Sequence, residues 1–305
     1  MPVDRRRFLA LSSAALAAWP IRSAFGGQQA PAAPPVTRFE TVRGNFQYFL
    51  GRGGTIGILA NPEVLLVVDT QYPITAKICL DALHTRSTRE VDLVINTHHH
   101  ADHTAGNSVF RPVVKKIVAQ QHVPDLQRQA VTAATTDPQV YADTLFEKTW
   151  STGAGDEKVS ATYYGPAHTG GDAIVHFQHA NVVHMGDLLL HQMHPYVDRP
   201  GGGSVRNWMK SLDTIAKEMP PDAIFIAGHA KTGVPVTADR AALLKQRDYF
   251  DAVLTHVTQG IARHASRDEI TSLTSLPGFE ELQSVPPRFT LAFILGVAYD
   301  ELSEK

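Results

Sequence analysis

Residues 91–107 read VDLVINTHHHADHTAGN. A short apolar run with the length and composition of a strand passes without a spacer into four histidines and an aspartate, His98 to His103. This junction constrains the fold more than any other stretch, because the strand has to end on a polar site. Residues two apart in an extended or tightly turned segment point the same way, so His98 and His100 present imidazoles to one ion. Asp102 and His103 follow where the chain turns into a helix, and their side chains diverge toward a second point. Three nitrogen donors and one carboxylate suit zinc or another borderline divalent ion. His99, between two such residues, is expected to point away and to pack or hydrogen-bond. The internal position and the embedded aspartate exclude an affinity tag.

Around this junction short apolar runs alternate with longer helical patterns, as in an α/β domain. Strands are expected near 47–51, 55–60, 64–69, 91–96, 115–119, 159–164, 173–178, 181–186 and 223–227. Helices are expected at 75–87 and 204–218, and helical material between about 120 and 150. From about residue 237 a largely helical extension follows, with Thr237 or Asp239 as its cap and a last helix in RFTLAFILGVAYDELSEK. The single cysteine, Cys79, lies among apolar neighbours at helical spacing, which predicts a buried, inert thiol. With no disulfide available, stability has to come from packing and any bound metal.

The first residues read differently. Arg5, Arg6 and Arg7 precede an apolar, small-residue run too short to span a bilayer, and Arg5 to Leu9 fits the twin-arginine export pattern. Residues 1–26 are therefore expected to be a signal peptide, 27–37 an Ala/Pro-rich linker, and 38–305 the folded domain. On this reading the mature protein is periplasmic or exported and has no stable membrane insertion. A formal net charge of -2, with no dense basic run in the body of the chain, argues against nucleic acid and for a small-molecule substrate. The oligomeric state is left open.

Three further stretches place a ligand-type residue beside glycine just past an expected strand: GPAHTGGD with His168, VVHMGDLLL with Asp187 and FIAGHAK with His229. Together these residues resemble the metallo-β-lactamase fold superfamily, with its His-x-His-x-Asp-His motif followed by a His, an Asp and a final His. The resemblance covers roughly residues 38–235. It implies a four-layer αββα sandwich, two mixed sheets face to face with helices outside. It assigns His98, His100 and His168 to a first metal, Asp102, His103 and His229 to a second, and Asp187 to a bridge between them. Two zinc ions per chain are implied, and iron or manganese suits the same donors. The implied activity is hydrolysis, a hydroxide held by both metals attacking an ester, thioester, lactone or β-lactam-like carbonyl, with Asp102 orienting the nucleophile.

Departures from the lactamase pattern narrow this reading. The best-known lactamases of the fold have Cys where Asp187 stands and a drug-anchoring Lys where Leu190 stands, so a dedicated β-lactamase is not expected. His191, His194, Arg206, Asn207 and Lys231 are candidates for the substrate pocket, and the helix N-terminus near Ser204 is a candidate anion site. The alternatives are a persulfide dioxygenase-like iron oxidoreductase of the same fold and a non-catalytic metal-binding accessory protein. Metal identity and oxygen uptake separate the first alternative from a hydrolase.

Overall fold

Side chains alternate between the two faces of a strand, and along the central strands of this protein both faces are buried. The computed structural model describes residues 35–132 and 135–304. The expected signal peptide and residues 27–34 of the expected linker lie outside the described residues. Strands β1 (Arg38–Arg43), β2 (Phe46–Leu50), β3 (Ile56–Ala60), β4 (Leu65–Val68), β5 (Val91–Asn96), β6 (Val114–Gln120) and β7 (Thr144–Phe146) form a seven-stranded sheet in chain order. It is antiparallel from β1 to β4 and parallel from β4 to β7. Then follow β8 (Thr149–Ala154), β9 (Glu157–Tyr163), β10 (Ala173–Phe177), β11 (Val182–His184), β12 (Leu190–His191), β13 (Ile224–Ile226), β14 (His229–Ala230) and β15 (Thr237–Ala238). The second sheet runs β15-β13-β11-β10-β9-β8, and β12 pairs separately with β14. Only β11 and β13 are parallel neighbours in that sheet.

The helices are α1 (Pro73–Arg86), α2 (Ala101–Thr104), α3 (Asn107–Phe110), α4 (Val123–Ala130), α5 (Val205–Glu218), α6 (Arg240–Ala262), α7 (Arg267–Thr271) and α8 (Leu291–Ser303). Three apolar clusters arrange the layers. Leu66 and Val68 of β4 meet Val175 and Phe177 of β10 between the sheets. Leu65 and Val67 face the other way and pack on Ala76, Cys79, Leu80 and Leu83 of α1. On the far side, Ile174, Val183 and Phe225 of the second sheet pack against Trp208, Leu212, Phe250 and Leu295 from α5, α6 and α8. The order is therefore helix, sheet, sheet, helix, a four-layer αββα sandwich. Cys79 is fully buried in α1, and burial pushes its thiol pKa up. No helix among the described residues is long and apolar enough to cross a membrane.

The structure corrects the sequence reading in a few places. Of the helical material expected between 120 and 150, only α4 is helical. Thr144–Phe146 instead extends the parallel sheet beside β6, and the Thr- and Trp-bearing Thr149–Ala154 pairs with β9, so sheet pairing overrides local propensity. β1 was not expected at all. The strand expected at 181–186 stops at His184, because Gly186 takes a positive φ of 51° and opens a single 3-10 turn, Gly186–Leu188. Asp239, not Thr237, caps α6 by accepting from the Ala242 amide, while Thr237 sits in β15.

The C-terminal ends of β4, β5, β11 and β13 share one edge of the sandwich. Backbone bonds join the two sheets there, from Thr55 N to Gly228 O at 2.8 Å and from Ala173 N to Thr97 O at 2.8 Å. His184, buried, donates from Nε2 to Thr55 O and accepts the Gly186 amide at Nδ1, which fixes the turn that carries Asp187.

Candidate metal centre

All seven histidines and aspartates assigned by resemblance meet at that edge. His98, His100, His168 and Asp187 form one convergent group, and Asp102, His103 and His229 form a second. In the first, His100 Nδ1 lies 3.1 Å from His98 Nε2 and 2.9 Å from His168 Nε2. In the second, His229 Nε2 lies 3.1 Å from Asp102 Oδ2 and 3.3 Å from His103 Nε2. Ligands about 2.0–2.1 Å from a tetrahedral ion sit about 3.3–3.4 Å from one another, so both groups have the spacing of a coordination shell.

Asp187 joins them. Its Oδ2 stands 3.5 Å from His168 Nε2, while its Oδ1 faces the other group, 3.1 Å from His103 Nε2 and 3.5 Å from His229 Nε2. Asp187 Oδ1 is buried without a hydrogen-bond partner. An ionised oxygen in that position is costly unless a cation receives it, so the residues present fit a pair of divalent ions. Glycine makes room at two points. A Cβ on Gly54 would overlap the His103 ring, and one on Gly228 would overlap the Asp187 carboxylate.

The far nitrogens of the rings fix their tautomers. His168 donates from Nδ1 to Tyr196 O at 2.7 Å, His103 from Nδ1 to Asp69 Oδ2 at 2.7 Å, and His100 from Nε2 to Asp198 Oδ2 at 3.0 Å. The Thr97 hydroxyl donates to Asp69 Oδ2, so its lone pair takes His98 Nδ1–H at 3.1 Å. Each of these four rings is left with a lone pair directed into the centre. Asp69 also accepts the Thr97 amide, and its positive φ of 62° turns the chain out of β4 toward the site.

Burial and charge split the histidines. Burial foremost, then neighbouring imidazoles, hold His98 well below the usual histidine pKa, and burial takes His168 down to about 3 despite Asp187. Burial also works against protonation of His103 and His229, but Asp187 and Asp102 outweigh it and raise both. Asp187 and Asp102 are held below the carboxylate range by the facing imidazoles, against their burial. His100, Asp102 and His229 are the most open members of the set, their side chains 21 %, 27 % and 24 % exposed.

The five substrate-pocket candidates do not join this set. Arg206 Nε donates to Glu301 Oε1 at 3.2 Å, and Asn207 Nδ2 donates to Pro166 O at 2.7 Å. Lys231 Nζ donates to Glu281 O at 2.7 Å. His191 donates from Nδ1 to Pro235 O, and buried His194 pairs with the Tyr249 hydroxyl at 2.8 Å. The N-terminus of α5 already holds an anion from within the protein: Glu301 of α8 accepts from Val205 N, Arg206 N and the Ser204 hydroxyl. Trp208 is fully buried, its indole N–H donating to Leu188 O.

Sequence reasoning missed Asp69, Thr97, Tyr196 and Asp198. Asp69 had a usable signal, a carboxylate directly after the apolar run LLVV, the same context that marked the ligands. Asp198, in VDRPGGG, reads as an ordinary turn aspartate. Its two oxygens accept from His100 Nε2 and Gly201 N, and His99 Nε2 lies 3.5 Å away. His99 thus points away from the cage, as expected, and backs Asp198.

The family model of the metallo-beta-lactamase superfamily matches residues 51–229, more than half of the 305 residues. Among solved structures, the chain is similar to the stereoselective inverting sec-alkylsulfatase Pisa1 from Pseudomonas sp., at TM-score 0.73 and 15% identity, over 88% of this chain and 50% of that one. The chain thus spans about half the length of that alkylsulfatase. It is also similar to a metallo-beta-lactamase from Pontibacter korlensis, at TM-score 0.60 and 14% identity, over 71% of this chain and 99% of that one. At such identity these likenesses concern the fold.

Proposed function

The chain belongs to the metallo-beta-lactamase superfamily, and on that premise we propose that it is a zinc-dependent hydrolase with a dinuclear centre, acting on an ester, thioester, lactone or β-lactam-like carbonyl. The observation that carries this reading is the division of the Asp187 carboxylate, one oxygen toward each group of ligands. When bound there, a pair of divalent cations supplies Lewis acidity at the carbonyl and brings the pKa of water toward neutrality.

The protein's own residues supply the rest. Asp187, His98, His103 and His168, nearly or fully buried, form the rigid floor, and substrate approaches across the open side formed by His100, Asp102 and His229. Asp102, 27 % exposed at that face, orients the attacking water toward the carbonyl. No serine or cysteine nucleophile is required, in keeping with the buried thiol of Cys79.

The test is a rate panel on zinc-loaded protein with a cephalosporin, a lactone, a thioester and a phosphodiester. A sulfate ester joins the panel because the alkylsulfatase shares the fold. One substrate is expected to reach kcat/KM above about 10⁴ M⁻¹s⁻¹, with Asp187→Ala losing most of the rate. Full activity in Asp187→Ala would sink the dinuclear mechanism. Oxygen uptake with iron in place of hydrolysis with zinc would favour an oxidoreductase.

A further inference from the structure

The helical extension does not stop at covering the second sheet. Between α7 and α8 the chain returns to a cleft that His99, His100 and Asp198 also line. It is tied there by Gln283 N to Gln192 O at 2.9 Å, His194 N to Gln283 O at 3.1 Å and Thr232 N to Gln283 Oε1 at 2.8 Å. Directly after this anchor Val285 and Phe289 exchange backbone hydrogen bonds in both directions, which closes a tight turn with Arg288 in it. Phe289 and Phe293 pack on the ring of Tyr196, at centroid distances of 5.8 and 5.4 Å. The same ring stacks on His100 of the centre at 5.8 Å, and the Tyr196 carbonyl orients His168.

Arg288 lies over Tyr196, its Cζ 5.3 Å from the ring centroid, with Nη1 3.4 Å from the phenol oxygen. It lines a cleft of about 490 Å³ together with His99, His100, Tyr196, Asp198 and Gly201, with Gln129 also on the lining. The separations of 5.8 and 5.3 Å place its guanidinium within about 11 Å of the His100 ring. Among the described residues no carboxylate lies within 4.0 Å of Arg288. Asp198, in the same cleft, turns its oxygens to His99, His100 and Gly201 N. The other cations considered for such a role, Arg206 and Lys231, are bonded to Glu301 and Glu281.

We infer that Arg288 anchors an anionic group on the substrate: a carboxylate, sulfate or phosphate separated by a few bonds from the bond that is broken. The inference rests on the hydrolase reading above and adds a substrate class to it. Arg288 is exposed at the cleft and spends one N–H on the Tyr196 hydroxyl; a guanidinium has five such donors in a fork that suits a planar or tetrahedral oxyanion. The turn is held at its base and backed by two phenylalanines, so little ordering is needed when the anion arrives.

The experiment compares 4-nitrophenyl acetate, which is neutral, with the 4-nitrophenyl half-ester of glutaric acid, which carries a carboxylate on its acyl chain. Both are measured on the metal-loaded full chain, in wild type, Arg288→Ala and Arg288→Lys. Wild type is expected to favour the half-ester by about tenfold or more in kcat/KM, and Arg288→Ala to lose that preference mainly through KM, with acetate hydrolysis within about twofold of wild type. Arg288→Lys is expected to retain part of the preference, since the charge remains without the fork. Equal losses on both esters, or a wild type without preference, overturn the anchor. If neither ester is hydrolysed, the hydrolase reading is decided by the wider substrate panel, and the anchor is judged separately by calorimetry with glutarate, inorganic sulfate and inorganic phosphate. At least one of the three must bind about tenfold more weakly to Arg288→Ala than to wild type, and equal affinity for all three overturns the proposal. The anion with the largest difference names the source.

Discussion

His100 illustrates what decides function at the scale of one residue. Its Nδ1 joins the first ligand group while Nε2–H is held by Asp198, so the carboxylate sets which nitrogen keeps a lone pair. Asp198→Ala is therefore expected to weaken metal binding about 10–100-fold with the fold retained; a chelator competition giving wild-type affinity would remove Asp198 from this role. The buried rings also make the metal-free protein pH-sensitive. His168, held at about 3 by burial against an ordinary value of 6.5, is neutral in the folded chain and charges on unfolding. The unfolded state then binds more protons between those values, so stability is lost as pH falls from about 6.5 toward 3, by roughly 4–5 kcal/mol at full extent. His98 shifts the same way, while buried Asp172, raised to about 6 by burial, opposes them between its usual value and 6. His103 and His229 are raised, so their contribution is present below 6.5 and is lost as pH climbs above it. Denaturant midpoints of the metal-free protein should therefore peak near pH 6.5, and a midpoint still rising at pH 8 would contradict this assignment of charges. The ligands were legible in the sequence because histidines and aspartates beside glycine at strand ends have few other uses. Arg206, Asn207 and Lys231 stood close to those ligands in sequence, but their partners, Glu301, Pro166 and Glu281, come from elsewhere in the chain or from its end. No local pattern announces a bond across such a separation.

Elements follow the same division. β4 and β5 were legible from their apolar runs, and α5 was expected at 204–218; its cap, the Ser204 hydroxyl accepting the Asn207 amide, was not singled out. β7 and β8 were not, because their three and six residues become strands only when β6 and β9 offer an edge. The link between α5 and α8 was equally hidden. Glu301 is nearly fully buried and satisfies the first turn of α5, and the hydroxyl and guanidinium donors on Ser204 and Arg206, against its own burial, hold its pKa below the usual glutamate range. Glu301→Ala leaves those amides without their acceptor and should cost about 1–3 kcal/mol. Urea unfolding measures it directly, and a loss of unfolding free energy below about 0.5 kcal/mol would show that water replaces the carboxylate without loss.

At the scale of the molecule, the two sheets and their outer helices account for the site's position, because only the shared edge brings four strand ends together. The extension beyond Thr237 covers the second sheet and sends the turn with Arg288 back to the cleft that His99, His100 and Asp198 line, outside the family match to residues 51–229. Export by the twin-arginine route remains our proposal for the first 26 residues. Replacing Arg5 and Arg6 by Lys should leave the protein in the cytoplasm of an exporting bacterium, and unchanged appearance in the periplasm would refute it. The central claim is that one carboxylate joins two metal positions, and metal stoichiometry tests it most directly. After zinc loading and removal of excess, elemental analysis of the intact protein should find two equivalents per chain, falling to one or fewer in Asp187→Ala. One equivalent in the wild type, or two in Asp187→Ala, would contradict the dinuclear centre.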